Sequence, residues 1–312
     1  MTFENKESDS NIINICVHEE LDTVSISNQK QLNPINKIFY KSSIKMNEII
    51  DNSIDLIITS PPYFNIKDYS KNGYQNISHS KLKSQDLGSL NNYNEYIEGL
   101  LKVWKECYRV LKPNGKLCIN VPLMPMLKKN INTHYNRHIF DLQSDIQYSI
   151  LNNTNLFLLD IYIWNRTNST KKLMFGSYPY PRNFYAQNTT EFISIFVKDG
   201  KPINNIPEEI KEQSKLTQEE WINFTKQIWN IPIPNKGDSA FGKHSAIMPE
   251  QIPYRLIKLF SFVGDTVLDP FAGSGTTLKV ARDLKRNYIG YELYEHYKEI
   301  IEEKLLCQTL SI

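Results

Sequence analysis

The stretch DTVLDPFAGSGTTLKVARDL, Asp265 to Leu284, narrows the possible folds more than any other part of this chain. A short apolar run ends in a glycine-rich turn, and apolar residues then recur at helical spacing. NYIGYEL follows as a strand, and EHYKEIIEEKLL as a closing helix. Strand and helix alternating across short turns imply a parallel, doubly wound α/β sheet. Gly273 and Gly275 let the backbone approach a ligand and take φ values other residues resist. The helix N-terminus beyond them favours a negative group. A turn of this kind suits a dinucleotide, a phosphate or another adenosyl ligand. A nucleoside triphosphate loop would need a lysine before the hydroxyl residues, and here Gly275 directly precedes Thr276. Glu292 closes the next strand, where an acid can accept hydrogen bonds from ribose hydroxyls. The glycines alone would also serve an ordinary tight turn; the whole series of strand, turn, helix, strand and acid favours a cofactor site.

A second turn is as unusual. SIDLIITS runs as a buried strand into Pro61-Pro62-Tyr63. The two prolines offer carbonyls and no backbone donors, Ser60 adds an oxygen acceptor, and Tyr63 a flat face. The set suits a planar ring bearing an exocyclic NH2, whose hydrogens need acceptors and whose ring needs a stacking partner. The plainer reading is that the prolines end a strand and Tyr63 packs. Both turns would open at the carboxyl edge of one sheet, where ligands of open α/β folds bind.

The remaining chain supplies the frame. Residues 1–35 lack periodicity and read as a flexible extension. NKIFYKSS is a short strand, IKMNEII a short helix, and residues 64–92 a long loop. A helix starts at Tyr93 behind the cap Asn92, with Glu95 three residues on, and stops by Pro113 and Gly115. KLCINV, LFLLDIYIW and EFISIFVK are strands. Residues 123–150 read as an irregular insertion, and residues 199–240 as a proline-rich linker and then a short helix capped by Thr217. PEQIPYRLIKLF is a helix. The balance of 36 Lys and Arg against 34 Asp and Glu permits nucleic-acid binding only through a local positive surface. The four cysteines show no C-x-x-C pair and no metal-ligand spacing, so no metal is expected and a reduced, cytoplasmic setting fits. No signal-peptide core and no apolar run near ~20 residues argue for a membrane.

With TSPPY at Thr59–Tyr63 and DPFAGSGTT at Asp269–Thr277, the sequence resembles the S-adenosylmethionine-dependent amino-methyltransferases of DNA. The catalytic motif precedes the cofactor motif, as in the circularly permuted β class; γ-class enzymes and protein-glutamine methylases carry them in the opposite order. ECYRVLKPNGKLCINV, HSAIMPEQIPYRLI and NYIGYEL match as well, so the resemblance spans roughly residues 36–305. It implies a doubly wound, mostly parallel, Rossmann-like methyltransferase sheet, circularly permuted, with a small target-recognition insertion. The catalytic half would occupy residues 36–198, target recognition 199–243, and the cofactor half 244–312. Asp269, Phe271, Ala272, Gly273, Ser274, Gly275 and Thr276 would line S-adenosyl-L-methionine, with Glu292 on its ribose. His244 stands where the family often has His-Pro, although Ser245 departs from it. Ser42 stands beside Lys41 where the family often has Gly-Asp, near the adenine.

The resemblance further implies transfer to an exocyclic base amine, with Ser60, Pro61, Pro62 and Tyr63 as the catalytic set. Serine at the first position is more typical of cytosine-N4 enzymes, aspartate or asparagine of adenine-N6 enzymes. Cytosine-C5 chemistry would need a Pro-Cys nucleophile, and the chain has none. The base must leave the duplex to be reached. Candidates for phosphate contact are Arg166, Lys171, Lys172 and Arg182, with Lys128 and Lys129 in the insertion. Each alone reads more readily as a solvated side chain, and clustering in loops flanking the catalytic strand edge tips Arg166 to Arg182 toward DNA. SYPYPRNFY, with Tyr178, Tyr180 and Tyr185, reads as a binding loop, and Trp164 as core. Expected partners are double-stranded DNA, a cognate restriction endonuclease and a second copy of the chain. Competing readings are an adenine-N6 enzyme, a silent DNA-binding relative, and an RNA or protein methyltransferase.

Overall fold

The apolar runs become the strands of one sheet, and the amphipathic runs the helices that cover it. The computed structural model describes residues 33–64, 85–127, 137–169, 177–202, 205–244 and 246–307. In chain order its elements are β1 (Lys37–Tyr40), β2 (Ile54–Thr59), α1 (Tyr93–Val110), β3 (Leu111–Pro122), β4 (Met124–Leu127), β5 (Arg137–Phe140), α2 (Leu142–Asn153), β6 (Leu156–Arg166), β7 (Thr190–Lys198), α3 (Glu208–Ser214), α4 (Gln218–Phe224), β8 (Ile228–Ile231), α5 (Gln251–Phe260), β9 (Thr266–Asp269), α6 (Thr276–Asp283), β10 (Asn287–Glu292) and α7 (Lys298–Leu306).

The main sheet runs β1-β10-β9-β2-β3-β7-β6-β8. β7 is antiparallel to both its neighbours, and every other adjacent pair is parallel. Side chains of a strand alternate between faces, and β2 shows it. Ile57 packs with Trp104, Leu100 and Ile146 from α1 and α2, while Leu56 and Ile58 pack with Leu256, Ile257 and Val280 from α5 and α6. Helices thus cover both faces, as the sequence predicts, and Trp164 lies in the second core at 3% exposure. Chain order and sheet order part company at the centre, where β9 lies against β2.

Four expectations need correction. IKMNEII forms turns instead of a helix. Side chains take its backbone groups: Met46 N–H donates to Glu106 (2.7 Å), Ile50 N–H to Asn33 Oδ1 (2.9 Å), and Arg109 donates to the carbonyls of Met46 and Ile49 (2.9 Å each). The stretch 123–150 is not irregular, for it holds the β4–β5 ribbon and α2. Leu142, Ile146 and Ile150 give α2 a buried stripe at helical spacing, and Asp141 caps it. The strand read as KLCINV starts earlier, at Leu111, and runs through Pro113 and Gly115. Within 199–240, Glu208–Ser214 is helical and Ile228–Ile231 is the edge strand β8, whose Trp229 and Ile231 are fully buried. The predicted cap stands: Thr217 and Glu220 form a reciprocal capping box on α4. Residues 1–32, 65–84, Lys128, Lys129, Lys171 and Lys172 lie outside the described residues. Among the described residues, no helix is long and apolar enough to cross a membrane.

Candidate active site

A cavity of about 810 Å³ opens at the carboxyl ends of the parallel strands and takes in both motifs. β2 delivers Ser60–Tyr63 to it, β9 delivers Asp269–Gly273, and β10 delivers Glu292. Because β2 and β9 are adjacent and parallel, the two turns meet: Thr59 Oγ1 donates to Asp269 Oδ1 at 2.7 Å.

Within the proline turn, Ser60 gives its hydroxyl hydrogen to the Asn120 carbonyl at 3.0 Å, and Tyr63 Oη lies 3.4 Å from Ser60 Oγ. The lone pairs of Ser60 Oγ therefore remain acceptors. Tyr96 Oη donates to the Pro62 carbonyl at 2.8 Å and so fixes the turn from behind. Tyr96 itself sits fully buried beside Phe64 and Tyr93.

Within the glycine turn, Asp269 accepts from the Phe271 N–H (3.0 Å) as well as from Thr59. Burial pushes its carboxyl up to about 6, against those hydrogen bonds. Glu292 accepts from the Gly273 N–H (2.9 Å) and the Tyr294 N–H (3.0 Å), and burial pushes it up to about 7. Gly273 has φ +52°, and a Cβ there would stand 3.1 Å from His244 Nε2. That imidazole lies against Tyr297, ring centres 4.7 Å apart, and its Nδ1 accepts from the Ala246 N–H. Glycine at 273 is what lets the turn and the histidine share this wall.

Of the residues singled out from sequence, Ser42, Ser60, Pro61, Pro62, Tyr63, Arg166, His244, Asp269, Phe271, Ala272, Gly273, Ser274, Thr276 and Glu292 all line this cavity. Gly275 does not; at φ +80° it begins α6, and a Cβ there would lie 2.8 Å from Ile301 Cγ2. Its glycine is required by the packing of α7. Arg166 is part of the wall, held by the carbonyls of Asn188 and Thr189 and by Glu191 at 3.3 Å. Arg182 lies apart from the cavity, exposed beside the exposed rings of Tyr178, Tyr180 and Phe184.

Sequence reasoning missed several residues. Asn120, Glu191, Asp86 and Tyr294 all line the cavity. Glu191 opens EFISIFVK and shares a strand face with Ile193 and Ile195, so the period of two marked it as a buried acid. Asp86 gave no such signal; it lies within the stretch read as the long loop, accepts from Tyr294 Oη (2.9 Å), and caps a turn through the Gly88 N–H (2.9 Å). Lys304, 2% exposed, donates to Thr276 Oγ1 (2.9 Å) and pairs with Asp238 (3.0 Å), tying α7 to the start of α6 and to the loop after β8.

Among known proteins, residues 54–303 match the DNA methylase family. The chain is 35% identical over 281 residues to the type II methyltransferase M.MjaI of Methanocaldococcus jannaschii, covering 86% of this chain and 90% of that protein. It is 31% identical over 286 residues to the type II methyltransferase M.MthZI of Methanothermobacter thermautotrophicus, covering 88% and 78%. In three dimensions it is similar to the Thermus thermophilus protein TTHA0409 in complex with S-adenosyl-L-methionine, at 26% identity and a TM-score of 0.68, covering 88% of this chain and 95% of that one.

Proposed function

The chain belongs to the DNA methylase family, and we propose that it transfers a methyl group from S-adenosyl-L-methionine to the N4 amine of a cytosine flipped out of double-stranded DNA. The observation that carries this reading is the Ser60 hydroxyl. Its hydrogen is already given to the Asn120 carbonyl, so it offers an acceptor at the mouth of a turn that has two prolines and no competing backbone donor.

The residues present fit the cofactor. The glycine at 273 leaves room against His244 where a side chain would intrude, and Glu292, bonded to the Gly273 N–H, would take the ribose hydroxyls. Asp269 and Glu292 are buried acids whose ionised forms a cationic ligand favours. When bound, the cofactor supplies an electrophilic methyl group on a sulfonium. Ser60 Oγ and the Pro61 carbonyl hold the target amine by its hydrogens, which turns its lone pair outward. Tyr63 stacks on the ring. The cofactor would supply its methyl group to that lone pair and leave as the neutral thioether, and the methylated amine would lose its surplus proton to solvent. Orientation and exclusion of water account for much of the acceleration.

DNA recognition is assigned to residues 199–243, and phosphate contact to Arg182, Lys171 and Lys172. Type II relatives support a restriction-modification setting with a cognate endonuclease, and a homodimer is the expected assembly. Nucleoside mass spectrometry on DNA incubated with the protein and S-adenosyl-L-methionine tests the reading. N4-methylcytosine is the expected product. N6-methyladenine would replace the base assignment, and absence of any methylated base from a protein that binds the cofactor would overturn the activity.

A further inference from the structure

Between β6 and β7 the chain holds three large rings in water: Tyr178 is 62% exposed, Tyr180 74% and Phe184 57%. None of them joins a hydrophobic core. The loop that carries them is tied across its base. Ser177 N–H donates to the Asn183 carbonyl and Tyr180 N–H to the Ser177 carbonyl, 2.9 Å each, and Ser177 Oγ donates to the Tyr180 carbonyl at 2.8 Å. Pro179 and Pro181 fix φ at two further positions. Apolar rings displayed together on an ordered loop mark a binding surface, since the cost of holding the backbone is met before any partner arrives.

Charge points to the partner. From Ile161 to Thr190 the chain carries Arg166, Lys171, Lys172 and Arg182 and no acid, whereas the whole chain stands at only +2. Cations interleaved with exposed rings suit a polyanion that also offers flat apolar faces, which is nucleic acid. A paired duplex keeps those faces covered, so the rings need bases that have left the stack. Chain connectivity agrees. The loop enters β7 through Asn188 and Thr189, whose carbonyls hold Arg166, a residue of the cavity wall. Phe184 precedes Thr189 by five positions, at most about 18 Å of chain, which is about five base steps along DNA.

Resting on the reading that a base is flipped out of double-stranded DNA, we propose that Tyr178, Tyr180 and Phe184 form a stacking surface for bases unstacked beside the flipped cytosine. Arg182, on the same loop, takes the adjoining phosphate. The surface stabilises opened DNA and gives nothing to a closed duplex.

Two labelled 30-base-pair duplexes of mixed sequence test this, one fully paired and one with three central mismatches that leave bases unstacked. Fluorescence anisotropy gives the Kd of each. Tyr180→Ala and Phe184→Ala should each weaken binding to the mismatched duplex about tenfold and change binding to the paired duplex less than twofold. Tyr180→Phe keeps the ring and should bind both like the wild type. These side chains are exposed, so the thermal midpoints should not move. Equal losses on the two duplexes, or no loss on either, overturn the proposal. So does a wild type that binds both duplexes equally. If the alanine variants keep both affinities and instead split a dimer in sedimentation, the surface belongs to a second copy of the chain and the proposal falls. Failure of the underlying reading shows separately, as a wild-type protein that makes no methylated base, whatever its preference between the duplexes.

Discussion

Thr59 and Asp269 stand 210 positions apart in the chain and 2.7 Å apart in the fold, the threonine hydroxyl donating to the buried carboxylate. Both side chains are almost wholly inaccessible. This bond holds the proline turn against the glycine turn, so the two motifs share one reference point.

Thr59→Val keeps the shape and removes that donor. The Asp269 carboxylate retains the Phe271 N–H and loses a partner, so unfolding should become easier by about 1–2 kcal/mol. Asp269 should titrate above its value of about 6. Urea unfolding measures the first effect and calorimetric binding of S-adenosyl-L-methionine the second. Unchanged stability would mean the bond contributes nothing to joining the motifs.

Ser60→Ala deletes the acceptor and leaves the wall around Asp269 and Glu292 intact. Methyl transfer should fall by about 100-fold or more, with cofactor affinity nearly unchanged. A radiolabelled methyl-transfer assay beside calorimetry separates the two. A near-wild-type rate would remove Ser60 from the reaction.

Glu292 makes the protein's stability depend on pH. Burial raises its carboxyl from 4.5 to about 7, so between those values the folded chain binds a proton that the unfolded chain has released. The resulting stability is fully present below the unfolded value and is lost as pH rises through about 7. Asp269 contributes with the same sign through about 6. The cofactor-free protein should therefore melt lower at pH 8 than at pH 5.5, and Glu292→Gln should flatten part of that slope. Bound cofactor, which needs the ionised acid, should weaken as pH falls below about 7. An identical slope in wild type and Glu292→Gln would assign the effect elsewhere.

Lys304 and Asp238 form an ion pair whose side chains are 2% and 12% exposed. Lys304→Met leaves Asp238 without its counter-charge, which should cost about 3–5 kcal/mol. Adding Asp238→Asn should return much of it. Chemical denaturation of the single and double variants measures the coupling, and additive effects would show that the two groups act independently.

Periodicity makes the sheet legible. SIDLIITS, DTVLDPF and NYIGYEL are apolar on both faces, as inner parallel strands must be, and the motifs fall on their ends. IKMNEII misleads because its local pattern is helical while its partners, Glu106, Asn33 and Arg109, lie far off in sequence. The ribbon and helix of 123–150 escape notice although Leu142, Ile146 and Ile150 carry a period of four; polar neighbours dilute the signal. Gly275 reads as a cofactor residue because a glycine in a turn looks alike whether a ligand or Ile301 demands it.

The sequence by itself determined that a strand would deliver Ser-Pro-Pro-Tyr and another a glycine turn, because proline's missing N–H and glycine's missing Cβ are properties of single residues. Tertiary structure alone decided that these turns would meet through Thr59 and Asp269, that Asn120 and Glu191 would stand beside them, and that two carboxyls would titrate near neutrality. Those outcomes depend on which strands lie side by side and on how little water reaches between them, and neither is written in any local stretch of the chain.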